Sequence, residues 1–156
     1  MNRLHQLPFA ALGLFFLTLN SAHSADYQTV TANSSSQLWP LTSAYDGNVS
    51  TVWSSNTHAS PAATEEIAYW WSGLQSTNYV KLLPRYSQNC AALGFPIDFK
   101  IYYSNGSSWV EVGNYVNSPR PNRCDWIVIP LPTINQANGI RIIATKLGGD
   151  DAGTPV

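Results

Sequence analysis

Apolar and polar positions along the chain fall into short β-type runs, and no long window carries the period of an amphipathic helix. Ile97-Asp98-Phe99-Lys100-Ile101-Tyr102-Tyr103 alternates, which places Ile97, Phe99, Ile101 and Tyr103 on one face of a strand. Further strands are expected at Tyr27 to Ala32, Glu66 to Trp71, Tyr79 to Leu83, Trp109 to Val112, Trp126 to Leu131 and Ile140 to Ala144. Gly73 to Thr77 reads as a turn, Pro84 as a strand terminator, and Asn105-Gly106 as the tip of a hairpin. Pro119, Pro121, Pro130 and Pro132 confine the connections around Trp126 to Leu131. Many short strands separated by Gly, Pro, Asn and Ser predict an antiparallel β-sandwich. Residues 33–63 are polar and short of strands, and a loop of that length in a compact domain is usually functional.

The N-terminus reads as an export signal over residues 1–24. Met1-Asn2-Arg3 is a positive start, Leu7 to Leu19 is apolar, and Ser21-Ala22-His23-Ser24 supplies small residues before a cleavage site at Ala25. The apolar run is shorter than the roughly 20 residues of a membrane span. About 130 residues follow as one domain, 25–156, in a secreted or periplasmic setting. The tail Leu147 to Val156 has no strand character, so the last strand of a sandwich is expected to be missing.

Six Trp and eight Tyr stand against eight Lys and Arg and nine Asp and Glu, with a net charge of −1. Without a basic stripe, the chain is not built for nucleic acid. Hydroxyl, amide and aromatic side chains dominate the polar surface, as suits a neutral sugar. Two cysteines, Cys90 and Cys124, in an oxidising compartment are expected to form a disulfide. Metal binding by the pair is the weaker reading, since neither has a Cys or His neighbour at zinc spacing.

Two stretches carry a family resemblance. The first is Ala44-Tyr45-Asp46-Gly47-Asn48-Val49-Ser50-Thr51-Val52-Trp53-Ser54-Ser55. The second is Tyr79-Val80-Lys81-Leu82-Leu83-Pro84-Arg85, followed by Phe99 to Trp109 with its Ser104-Asn105-Gly106-Ser107-Ser108-Trp109 end. Together they resemble the coagulation factor V/VIII type C, or discoidin, domain, most of all the bacterial family-32 carbohydrate-binding modules. The resemblance implies an all-β, galactose-binding-domain-like jelly-roll sandwich with eight strands and ligand loops at one end.

It also implies sites. In that family the Asp-Gly-Asn turn wraps a calcium ion, a role that falls here on the Asp46 carboxylate, on carbonyls near Asn48 and Thr51, and on the Thr51 hydroxyl. An Asx-turn without metal is the alternative. Relatives close the site with an acidic residue on the final strand; Asp150 or Asp151 would have to substitute. The family's sugar site uses a His, an Arg, an Asn and an aromatic plane. These roles fall on His58, Arg85 and Asn89, with Tyr86, Trp39, Trp70 and Trp71 as candidate planes. An Arg fork bridges two adjacent hydroxyls, and an axial hydroxyl changes which pairs it reaches, the basis of a preference for galactose-type sugars. The bland alternatives are a solvated His58, an Arg85 paired with a surface acid, and an Asn89 capping a turn. The late loop Gly148 to Gly153 contains no aromatic residue to stack on a sugar. Adjacent in a strand, Trp70 and Trp71 point to opposite faces, one of them to the core; Trp53, Trp109 and Trp126 are expected in the core.

Nothing in the chain points to catalysis. The acids come as adjacent pairs, Glu65-Glu66 and Asp150-Asp151, or singly, rather than as the facing pair that glycoside hydrolysis needs. No Gly-x-Ser-x-Gly elbow, phosphate loop, zinc helix or dinucleotide fingerprint occurs. The reading is therefore an exported, non-catalytic binder of a glycan. The rivals are a domain that binds membrane or protein through an apolar spike, for which Leu93 and Phe95 are candidates, and a ligandless accessory domain of a larger secreted protein.

Overall fold

The computed structural model describes residues 13–14 and 27–149. Among the described residues nine strands run in chain order: β1 (Gly13–Leu14), β2 (Tyr27–Ala32), β3 (Trp53–Ser54), β4 (Glu65–Leu82), β5 (Arg85–Tyr86), β6 (Ala92–Leu93), β7 (Asp98–Ser104), β8 (Trp109–Tyr115) and β9 (Ile127–Lys146). The helix among the described residues is one 3₁₀ turn, Leu41–Ala44. No helix there is long and apolar enough to cross a membrane. The expected export signal lies outside the described residues apart from β1, which pairs with β3.

The main sheet has the order β2-β4-β9-β7-β8, with every pair antiparallel. Its two central strands are much longer than expected. Where the sequence reads as two strands around a Gly73–Thr77 turn, β4 is continuous, and β9 likewise joins the segments expected at Trp126–Leu131 and Ile140–Ala144. Their pairing slips between Trp70 and Gln75, again before Thr77, and again before Tyr79. Such irregularities bend a strand and increase its twist. Gly73, at φ +71°, supplies backbone freedom at the bend.

The bend makes a sandwich from a continuous ladder. The first half of β4 pairs with β2 and with the end of β9, which continues to β7 and β8. The second half pairs Tyr79–Leu82 with Pro130–Ile127 at the start of β9. Ile67, Tyr69 and Trp71 from one half and Val80 and Leu82 from the other enter the same core, together with Ile129, Ile140 and Ile142. A flat sheet cannot bury both halves against each other; a folded one can. Each large side chain so buried contributes about 1.5–3 kcal/mol.

Phe99 and Ile101 are buried as their alternation predicts, and Phe99 stacks on Tyr115 at 4.7 Å. The β7–β8 hairpin turns at Asn105-Gly106, with Gly106 at φ +90° and the Asn105 side chain accepting from Ser107 and Ser108 N–H groups. Two expected core tryptophans lie elsewhere. Trp109 is only half-buried, on the outward face of the sheet, where the Arg141 guanidinium sits between its ring at 4.7 Å and that of Tyr102 at 4.9 Å. Trp126 is half-buried with Lys81 over its ring at 5.2 Å. Both rings gain cation–π contacts in place of full burial. Trp53, by contrast, is fully buried, and of the adjacent pair Trp71 is the core member.

Candidate functional site

The long polar loop is organised by a short pairing between residues 34–39 and residues 54–56. Ser36 N–H donates to the Ser54 carbonyl (2.8 Å), Ser54 N–H to the Trp39 carbonyl (3.2 Å), and Asn56 N–H to the Ser34 hydroxyl (2.9 Å). Buried Trp53 anchors this pairing to the core. One end carries His58, whose Nε2 lies 2.7 Å from Glu65 Oε1, an oxygen that also accepts from the Ser34 hydroxyl at 2.5 Å. Glu65 is buried and His58 is 27% exposed, so the imidazole roofs a buried carboxylate. The other end carries Trp39, over whose ring the Arg85 guanidinium lies 4.6 Å from the centroid. His58 and Arg85 thus meet opposite ends of one segment, on Ser34 through Glu65 and on Trp39, no more than five residues of chain apart.

Arg85 leaves the core on β5, whose pairing with β6 sets Arg85 opposite Leu93 and Tyr86 opposite Ala92. The hairpin is tied down from the far side. Cys90 and Cys124 are bonded, with Cα atoms 4.7 Å apart, as the cysteine count predicts. Ala92 N–H donates to the Pro121 carbonyl at 2.8 Å, and the Tyr86 hydroxyl donates to the Asp125 carbonyl. Burial raises the Tyr86 pKa above its ordinary value, against the hydrogen bond to Asp125, which lowers it. The phenol therefore stays a neutral donor. Asn89 is exposed beside Cys90. Trp70 stands apart: it packs edge-on against Trp109 at 4.7 Å on the outward sheet face. Trp71 donates its indole N–H to the Ala137 carbonyl inside the core.

The Asp46–Thr51 turn brings three oxygens together. The Thr51 hydroxyl lies 2.7 Å from Asp46 Oδ2 and 2.8 Å from the Asn48 carbonyl. Asp46 Oδ1 accepts from the Asn48 N–H at 2.8 Å, an Asx-turn that Gly47 allows at φ +77°. A carboxylate, a carbonyl and a hydroxyl are hard oxygen donors of the kind calcium takes, so the residues present fit part of a calcium shell. Among the described residues no group of three His, Cys, Asp or Glu gathers. Asp150 and Asp151, the expected closing acids, lie outside the described residues.

The apolar spike is not where the sequence places it. Phe95 is buried in the core, edge-on to Phe99 at 5.9 Å, and Leu93 is half-buried. The exposed apolar side chain at the rim is Leu38, next to Trp39. Sequence reading also missed Glu65, seen only as half of an acidic pair. Its parity gives it away, because it shares the inward face of β4 with Ile67, Tyr69 and Trp71.

The F5/8 type C domain profile matches residues 29–154. The chain belongs to this family. No curated protein sequence matches it. Its fold is similar to that of chitosan-binding module 1 from a chitosanase/glucanase of Paenibacillus sp. IK-5, at TM-score 0.62 and 21% identity, covering 81% of this chain and 86% of that one. A family 32 module from Clostridium perfringens NanJ, solved with galactose, gives TM-score 0.62 and 21% identity over 78% of this chain and 87% of that one. Chitosan-binding module 2 of the same Paenibacillus enzyme, solved with chitotriose, gives 0.61 and 21% over 80% and 92%. At this identity the likeness establishes the jelly-roll sandwich of the F5/8 type C family. In this F5/8 type C domain the first resemblance-bearing stretch is the loop Ala44–Ser55 that ends at Trp53-Ser54-Ser55, and the second covers the β4–β5 passage that delivers Arg85 together with β7 and its turn into β8.

Proposed function

We propose that this F5/8 type C domain is an exported, non-catalytic carbohydrate-binding domain. Its glycan docks on the rim formed by residues 34–39, 54–58 and the Arg85–Asn89 hairpin, with Arg85, His58 and Asn89 as hydrogen-bonding groups and Tyr86 and Trp39 as flanking aromatics. The observation that carries the reading is the Arg85 guanidinium lying over the Trp39 ring, 4.6 Å from its centroid, at one rim with an imidazole anchored by a buried acid. A guanidinium already resting on an aromatic ring can meet two vicinal hydroxyls as a fork with less ordering cost than a free side chain. Solved modules of similar fold were crystallised with galactose and with chitotriose, which supports a saccharide as the ligand class. Galactose-type sugars are the proposed preference, on the fork's sensitivity to an axial hydroxyl.

A glycan array followed by calorimetry with galactose, N-acetylgalactosamine and chitotriose tests this. Arg85→Ala is expected to weaken binding at least about tenfold, in line with the roughly 1.5–3 kcal/mol of a hydrogen bond to a charged group. Equal binding by variant and wild type rules out the site; cosedimentation with liposomes without glycan binding supports the membrane reading instead.

The proposal includes calcium at the Asp46 turn, held by the Asp46 carboxylate, the Asn48 carbonyl and the Thr51 hydroxyl. Bound there, the ion would order the loop that precedes the rim. Saturating calcium at about 100 times its Kd adds roughly 2.7 kcal/mol to stability, several degrees in Tm. An unchanged midpoint on adding a chelator removes calcium from the account.

A further inference from the structure

The strongest unexplained feature at the rim is Glu65. A carboxylate inside a protein is costly unless it is paired and hydrogen-bonded, yet only one of its oxygens is engaged. Oε1 takes the Ser34 hydroxyl and His58 Nε2, while Oε2 is buried without a partner. The core does not need an acid here, since the same face of β4 is filled by Ile67, Tyr69 and Trp71.

What Glu65 does achieve is to choose a nitrogen. A carboxylate oxygen 2.7 Å from Nε2 accepts a hydrogen bond, so the imidazole proton is held on Nε2. Nδ1 is then the bare nitrogen. Among the described residues it makes no hydrogen bond, and it is not one of the buried unsatisfied atoms, on a side chain that is 27% exposed. Ser34 locks the arrangement from the other side. Its hydroxyl donates to Oε1 and accepts the Asn56 N–H at 2.9 Å, so the carboxylate, the imidazole and both paired loop segments share one network.

We propose that Glu65 is a positioning residue that holds the Nε2–H of His58, so that whenever the ring carries a single proton its Nδ1 is the hydrogen-bond acceptor offered to a hydroxyl proton of the glycan. This rests on the rim being the sugar site. It deepens that reading by dividing the labour: Arg85 has only donors and takes hydroxyl oxygens, whereas His58 takes a hydroxyl hydrogen. A sugar then needs one hydroxyl free to donate toward His58 besides the pair that accepts from Arg85. A site of donors alone would not impose that condition.

The tautomer is read directly by long-range ¹H–¹⁵N correlation on the full chain, under conditions where the imidazole carries one proton. The His58 signals are assigned by their loss in His58→Gln. The expected pattern is a protonated Nε2 and a bare Nδ1, and a proton on Nδ1, or an even mixture, overturns the proposal. Glu65→Gln keeps the side-chain shape, so the fold survives, but its amide meets Nε2 with either oxygen or nitrogen. It is expected to give mixed tautomers and to weaken galactose or chitotriose binding about tenfold, with circular dichroism unchanged. An unchanged tautomer, with or without weaker binding, reduces Glu65 to a structural residue and sinks the idea. If the wild type binds neither sugar, the functional reading falls, while the tautomer measurement still decides what Glu65 does.

Discussion

Replacing both Cys90 and Cys124 with serine should lower the melting midpoint by about 15 °C and weaken glycan binding. The bridge spans a sequence separation of 34. In the chain-entropy model, closing a loop of that length contributes roughly 4 kcal/mol by restricting the unfolded chain. For a domain of this size each kcal/mol is worth about 3–5 °C. The second effect is local. Cys90 sits at φ 61°, a left-handed conformation uncommon for a side chain larger than glycine, at the end of the hairpin that starts with Arg85. Without the bond, that hairpin is held to the segment around residues 121–125 by the Tyr86–Asp125 and Ala92–Pro121 hydrogen bonds and the Ala91–Asn122 bridge. A looser hairpin must be ordered again on binding, which raises Kd. Calorimetric melting and sugar titration of the double variant check both parts, and a midpoint within about 3 °C of wild type contradicts the entropic argument.

Gly148→Ala is expected to cost about 3 kcal/mol or more. A Cβ at Gly148 would stand 2.1 Å from the Phe95 carbonyl oxygen and 3.1 Å from its carbon. These are backbone atoms, so no rotamer change relieves the overlap. Phe95 is itself packed in the core, which leaves the main chain to move. Moving it pulls on the Gly94 N–H to Gly149 carbonyl bond at 3.1 Å and on the Arg120 contact to the same carbonyl. Overpacking against a well-filled core typically costs 1–3 kcal/mol, and an overlap with fixed backbone falls at the top of that range or above. Denaturant unfolding measures it; a loss under about 0.5 kcal/mol means the segment adjusts freely and the close approach is not a constraint.

Much of the fold was legible in the chain. The alternation at Ile97 to Tyr103 set the inward face of β7, Asn105-Gly106 set its hairpin, and Tyr27 to Ala32 matched β2 end to end. These are local signals: side-chain parity and turn chemistry act within a few residues, so the sequence carries them whole. The cysteine pairing was legible for a different reason, since two cysteines allow a single intramolecular bond.

The length of β4 and β9 was hidden, because a bent strand and two strands with a turn share the same Gly and polar punctuation. Only the ladder across Gln75 and Thr77 distinguishes them. Trp109 and Trp126 were misplaced because burial of a large ring competes with cation–π contacts whose partners, Arg141 and Lys81, come from distant strands. At the rim, the residue types His58 and Arg85 were readable by resemblance, but their supports were not. Trp39 under the guanidinium and Ser34 beside Glu65 lie 46 and 31 positions away from the residues they hold.

By itself, then, the sequence determined the β class, the inward faces, the hairpin turn and the covalent tie. Tertiary structure alone decided where the sheet folds over, which nitrogen of His58 meets Glu65, and that Gly148 must lack a side chain. Each of those depends on atoms brought within a few ångströms by long-range packing, and such distances leave no trace in the local periodicity of a chain.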